Sequence, residues 1–67
     1  MKAFQKRVVA EKKALDAKRE KLDEFTNSSL FPVLSQEEQF RLMMQLGVMV
    51  MYSNILAERI LNFKEQA

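Results

Sequence analysis

The sequence predicts an all-α protein, an antiparallel two-helix hairpin that assembles into a homo-oligomeric helical bundle. Three observations predict it. Apolar residues recur at alternating steps of four and three in two separate stretches, the signature of one helix face turned inward. One Gly and one Pro among 67 residues leave too few turn formers for a β-rich chain. Hydrophobic content is 48% with Cys 0 and His 0, so a domain small enough to be marginal on its own has neither disulfides nor soft-metal sites as a staple. The missing core is expected from further copies of the chain.

The first helix covers about residues 2–25 of a single domain spanning 1–67. Its seam reads Phe4, Val8, Glu11, Leu15, Lys18, Leu22 and Phe25. Glu11 and Lys18 interrupt this stripe with charge, and long side chains can snorkel to water from such positions. A narrower stripe of Ala3, Ala10, Ala14 and Ala17 offers small residues that let another helix approach closely.

Residues 26–34, TNSSLFPVL, hold the only Pro and a Thr/Asn/Ser cluster, and neither period survives there. This is a connector. Leu30, Phe31, Val33 and Leu34 make it apolar, so it is predicted to fold back and plug the closed end of the hairpin.

The second helix covers about 36–64 and opens on a capping box. The Ser35 hydroxyl accepts from the Glu38 N–H while the Glu38 carboxylate reaches back to the Ser35 N–H. Glu37 and Glu38 also complement the positive end of the helix dipole. The seam continues as Leu42, Leu46, Met49, Ser53, Leu56, Ile60 and Phe63. The short joint makes the helices antiparallel, with Phe4 opposite Ile60 and Leu22 opposite Phe40. Helix 2 is apolar well beyond this seam, with Met43, Val50, Ala57 and Leu61 on one flank and Phe40, Met44 and Met51 on its back. The oligomer interface is therefore assigned to Phe40, Met43, Met44, Val50, Met51 and Leu61, with an exposed face awaiting a different protein as the alternative.

Charge narrows the classes further. Net charge is +2, divided between residues 1–21, with eight Lys/Arg against three Asp/Glu, and residues 22–67, with three against six. Lys12, Lys13, Lys18, Arg19 and Lys21 are interleaved with acids and carry no aromatic residue between them, which argues for a solvated face rather than DNA or RNA binding or a membrane surface. The longest uninterrupted apolar run, Leu46 to Tyr52 with Gly47 inside, falls short of the roughly 20 residues of a membrane span. The first ten residues have no apolar stretch of signal-peptide type behind them. A soluble intracellular protein is expected, and the absence of Cys fits a reducing cytosol.

No enzyme is expected. The chain has no His, no Cys, no G-x-S-x-G elbow and no phosphate-loop glycine pattern. Acids at 11, 16, 20, 23 and 24 read as a solvated face with i,i+4 partners such as Lys12–Asp16 and Arg19–Asp23. Without Glu-x-x-His there is no bundle metal site, and no metal or cofactor is predicted.

Binding has a more specific signal. On a helical wheel one edge of the hairpin collects Arg41, Gln45, Tyr52 and Arg59, and antiparallel packing brings Arg7 and Glu11 to the same edge, close to Ser53. Arginine forks hold phosphate bidentately and a phenol ring stacks on a base, so Arg7, Glu11, Tyr52, Ser53 and Arg59 are the candidate ligand-binding residues. The edge also reads without a ligand: Arg7 pairs with Glu11 one turn on, Arg59 is solvated and Tyr52 lies half-buried beside the seam.

The opening pattern F-x-x-R-V-V-x-E-K-x-x-L-D-x-K-x-x-K-L-x-x-F spans Phe4 to Phe25. It is followed later by Met49-x-x-Tyr52-Ser53-x-Ile55-Leu56-x-x-Arg59-Ile60 and then Phe63. Together these resemble a family of short phage and prophage proteins related to a crAss-like phage product. They are also similar to the helical-hairpin domain of anti-CBASS and anti-Thoeris nucleotide sponges. The resemblance implies a hexamer of hairpins without enzymatic activity, acting in the cytoplasm of an infected bacterial host. There it would sequester a cyclic oligonucleotide or a cyclic ADP-ribose isomer. It implies phosphate-binding roles for Arg59 first and Arg7 second. This chain departs from the pattern in lacking the β-rich region of the anti-Thoeris sponges, and Tyr52 is the nearest counterpart of the clasping aromatic. A small phage adaptor or inhibitor, its apolar helix 2 docked on a host protein, is the alternative.

Overall fold

The computed structural model describes residues 1–63, which form helix α1 (Ala3–Thr26), a 3-10 turn at Phe31–Val33 and helix α2 (Gln36–Leu61). The two helices pack side by side as a hairpin 49 × 15 × 13 Å in extent, and the described residues contain no strand. The predicted end of helix 2 near residue 64 lies outside the described residues.

Local chemistry sets each helix end. At the start of α1 the Lys2 N–H donates to Gln5 Oε1 at 2.8 Å, satisfying one of the amides a helix leaves open. At its end the polar cluster after Phe25 takes up the last carbonyls. Thr26 Oγ1 and Asn27 Nδ2 donate to the Asp23 carbonyl at 2.8 and 2.9 Å, and Ser28 Oγ donates to that of Phe25 at 2.7 Å. Such residues can therefore close a helix without a glycine. Ser35 caps α2, its hydroxyl accepting from the Glu38 N–H at 3.2 Å. The return half of the predicted capping box is replaced, because Glu38 Oε1 accepts from Arg41 Nε at 2.9 Å.

Every member of the predicted α2 seam, from Leu42 through Ser53 and Leu56 to Phe63, is buried or half-buried. Among the described residues Leu56 is the one fully enclosed side chain, at 0% exposure. The α1 seam differs from the predicted one. Val8, Leu15 and Leu22 turn inward as expected, but the positions between them are Gln5, Lys12 and Arg19, while Phe4, Glu11 and Lys18 are exposed. The cause is polar. Gln5 bonds the Lys2 amide and reaches the Phe63 carbonyl at 3.5 Å, and Lys12 bonds a serine of α2, so α1 is rotated toward these partners.

The pairing register also differs. The Phe4 ring meets that of Phe63 edge-on, centroids 6.1 Å apart, rather than Ile60. Phe40, predicted opposite Leu22, is 64% exposed. The connector does not cross directly from one helix to the other. It carries the chain outward past the end of α1, so α2 is displaced along the axis. A molecule 49 Å long is built from helices of only about 36 and 39 Å.

Within the connector, Phe31 is buried against Phe25, centroids 6.4 Å apart, and plugs the closed end as predicted. Leu30 and Val33 do not join it and stay exposed. Gln39 of α2 pins the turn, its Nε2 donating to the Leu34 carbonyl at 2.8 Å.

The outer side of α2 is uncovered. Phe40, Met43, Met44, Val50, Met51 and Leu61 are all exposed, as are Val48 and Ile55. Taken as a whole, α2 is long and apolar enough to cross a membrane by length and composition, which the uninterrupted run Leu46–Tyr52 understates.

Candidate functional site

Two polar features distinguish this hairpin from a plain apolar pair. The first lies between the helices, at Ser53. Its side chain is 7% exposed, and its hydroxyl donates to Asp16 Oδ1 at 2.5 Å while accepting from Lys12 Nζ at 3.0 Å. Lys12 Nζ also donates to Asp16 Oδ2 at 2.7 Å, which closes a three-membered ring of side chains across the interface. Arg19 stands 3.9 Å from the same carboxylate. The hydrogen bond from Lys12, and then that from Ser53, hold the Asp16 carboxyl below the ordinary aspartate range. Of the two predicted i,i+4 pairs, Lys12–Asp16 is present, while Arg19 approaches Asp16 rather than Asp23.

Beside this ring an open groove of about 460 Å³ runs along α1, lined by Val9, Lys12, Lys13, Asp16, Ala17, Glu20 and Ile60. Its walls are mostly apolar, and its charged groups balance, Lys12 and Lys13 against Asp16 and Glu20. Ala17, one of the small-residue stripe, keeps the groove open.

The second feature is the arginine-bearing edge. Arg7 and Glu11 on α1 and Arg59 on α2 are exposed, and Tyr52 is 42% exposed. Among the described residues these four are not joined to one another by a hydrogen bond or ion pair, and Arg7 does not pair with Glu11. Ser53 does not belong to this edge, being enclosed with Asp16 and Lys12. The structure therefore keeps Arg7, Glu11, Tyr52 and Arg59 open to solvent and withdraws Ser53 into the hairpin.

Sequence reasoning missed the interior ring and the groove, having assigned Lys12, Lys13 and Arg19 to a solvated face. One signal was present: Gln5, Lys12 and Arg19 recur at spacing seven, and with Val8, Leu15 and Leu22 between them they make a complete inward stripe.

A model of the Sequestin family matches residues 2–62. The chain belongs to the Sequestin family. The match runs through both helices and the connector, and so includes the interior ring, the groove and every residue of the arginine edge. No curated protein and no solved structure matches the chain. The name Sequestin suggests sequestration, a role that asks for a binding surface rather than a reaction centre.

Proposed function

We propose that the chain sequesters a cyclic signalling nucleotide, a cyclic oligonucleotide or a cyclic ADP-ribose isomer, and holds it without cleaving it. The observation that carries this reading is the Sequestin match over 2–62. The open edge supports it: Arg7 and Arg59 offer two guanidinium forks for phosphate and Tyr52 a half-exposed ring for a base. The chain has no His and no Cys, and the Asp16 carboxyl, held below its ordinary range, is engaged by Lys12 and Ser53. The reading therefore includes no turnover. It includes self-assembly, because a single hairpin presents these groups on a convex rod, and a concave site forms where copies meet. The setting that goes with it is the cytoplasm of a phage-infected bacterium.

Thermal-shift screening against a panel of cyclic nucleotides tests the proposal. A ligand at 100 times its dissociation constant adds about 2.7 kcal/mol, readily visible in so small a domain. The bound nucleotide is expected to be recovered chemically intact after heating. A panel that shifts nothing overturns the reading.

The exposed apolar side of α2 favours a second reading, in which α2 docks on a host protein as an adaptor or inhibitor. That reading expects a monomer or loose dimer whose Met44 and Met51 stay accessible until the partner binds.

A further inference from the structure

The rotation of α1 that carries Gln5, Lys12 and Arg19 inward also turns Glu11 outward, onto the edge that bears Arg7, Tyr52 and Arg59. Contacts across the hairpin fix how far along that edge it stands. Ser53 bonds both Lys12 and Asp16, and Phe4 meets Phe63. In this register Glu11 lies level with Leu56, between Tyr52 and Arg59 on the neighbouring helix. At a rise of about 1.5 Å per residue, Tyr52 is about 6 Å from that level along the axis and Arg59 about 4.5 Å, on opposite sides. Helices packed as a pair lie about 8–10 Å apart. A planar base laid on the Tyr52 ring therefore has its outer edge within reach of the Glu11 carboxylate, with Arg59 and Arg7 beyond it for phosphate.

On a surface that held phosphate alone, this carboxylate would be a cost. Its charge opposes the pull of the two guanidiniums on an anion. Among the described residues Glu11 has no hydrogen bond or ion pair, not even with Arg7 one turn away. The neighbouring acids are placed elsewhere. Asp16 is held in the interior ring, Glu20 lines the groove and Glu58 falls on the outer side of α2. What a carboxylate adds is a pair of acceptor oxygens with no donor. That pair matches a base presenting two adjacent donors, as guanine does through N1–H and its N2 amine. Adenine and cytosine set an amine beside a bare ring nitrogen, whose lone pair would face the second oxygen, and uracil flanks one N–H with two carbonyls.

We propose that Glu11 is the specificity-determining residue of the arginine edge and selects a guanine base through N1–H and the N2 amine. This deepens the sequestration reading and rests on it for the ligand being a nucleotide. Of the two ligand classes in that reading, it favours a cyclic oligonucleotide carrying guanine over a cyclic ADP-ribose isomer, whose base is adenine. The division of labour is simple. The arginines hold any phosphate, Tyr52 stacks on any base, and Glu11 discriminates.

Isothermal titration of the wild type and Glu11→Gln with cyclic di-GMP, cyclic di-AMP and cyclic di-IMP tests it. The wild type is expected to bind cyclic di-GMP roughly tenfold or more tighter than cyclic di-AMP. The inosine ligand, which keeps N1–H and lacks the amine, should fall between them. In Glu11→Gln the guanine preference should shrink to about threefold or reverse, because an amide sets a donor beside an acceptor as the adenine edge requires. Glu11 is exposed, so the melting temperature of the free protein should be unchanged. Arg59→Ala is the control, expected to weaken all three ligands by a similar factor and leave their ratios intact. If Glu11→Gln also moves all three by one factor, its role is charge alone and the proposal is overturned. Equal wild-type affinity for the guanine and adenine ligands overturns it too, as does tightest binding of a cyclic ADP-ribose isomer, while sequestration stands in both cases. A protein that binds no cyclic nucleotide loses the sequestration reading and this one with it.

Discussion

The Ser53 hydroxyl donates across the hairpin to Asp16, and Lys12 bridges both. The seam thus has a polar link near its centre, with each buried side-chain polar atom partnered among the described residues. A link of this kind favours one pairing register, because a slip of one turn would leave its hydroxyl and carboxylate without each other. Replacing Ser53 with alanine keeps the size of the site but leaves Asp16 and Lys12 with one partner fewer. The melting temperature of Ser53→Ala is expected to fall by several degrees in a calorimetric scan.

Acid should weaken the same link. The Asp16 carboxyl titrates below its unfolded value of about 4 because Lys12 and then Ser53 bond the ionised form. A group with a depressed folded pKa contributes its full stability above the unfolded value and loses it as pH falls through the folded one. The melting temperature should therefore hold from neutral pH down to about 5. Below about 4 it should drop more steeply in the wild type than in Asp16→Asn, measured side by side.

Leu56 offers a test of the core itself. As the only fully enclosed side chain among the described residues, it should cost about 2–5 kcal/mol when cut to alanine, most of the stability of so small a domain. Leu56→Ala should lose most of its helical circular dichroism signal at 37 °C.

The arginine edge is tested most sharply by a change that keeps charge. Arg59→Lys retains the cation but loses the planar fork, so affinity for a cyclic nucleotide, followed by calorimetry, should fall about tenfold, and further in Arg59→Ala. Arg7→Ala is expected to act in the same direction. If neither Arg7→Ala nor Arg59→Ala weakens binding, the ligand sits elsewhere, with the groove beside Lys12 and Lys13 the next place to test.

The α2 seam was legible in the sequence because its period is carried by Leu, Met and Ile, whose preference for the interior needs no partner. Ser35 was legible as a cap for a similar reason, its acceptor lying within the same helix turn. The α1 seam was not. Two stripes one residue apart share Val8, Leu15 and Leu22, and the choice between Phe4, Glu11, Lys18 and Gln5, Lys12, Arg19 depends on groups in the other helix. Nothing in the local pattern of α1 announces that Ser53 will supply a partner for Lys12 and Asp16. The displacement of the pairing toward Phe63 likewise depends on the path of the connector, which composition marks as a turn without fixing its direction. Arg7, Tyr52 and Arg59 could be placed on an exposed edge from periodicity alone, whereas Ser53 could be removed from it only once the partner across the seam was known.

With a cross-section of 15 by 13 Å and, among the described residues, a single side chain sealed from solvent, this molecule has almost no inside. In most proteins the positions least tolerant of change are those hidden in the core, and the surface drifts freely. Here the hidden set shrinks to a few positions around Leu56. Nearly every residue borders the outside, so the constraints on the sequence are set by whatever the rod leans against, and its outer face carries the specificity that a larger protein would keep within.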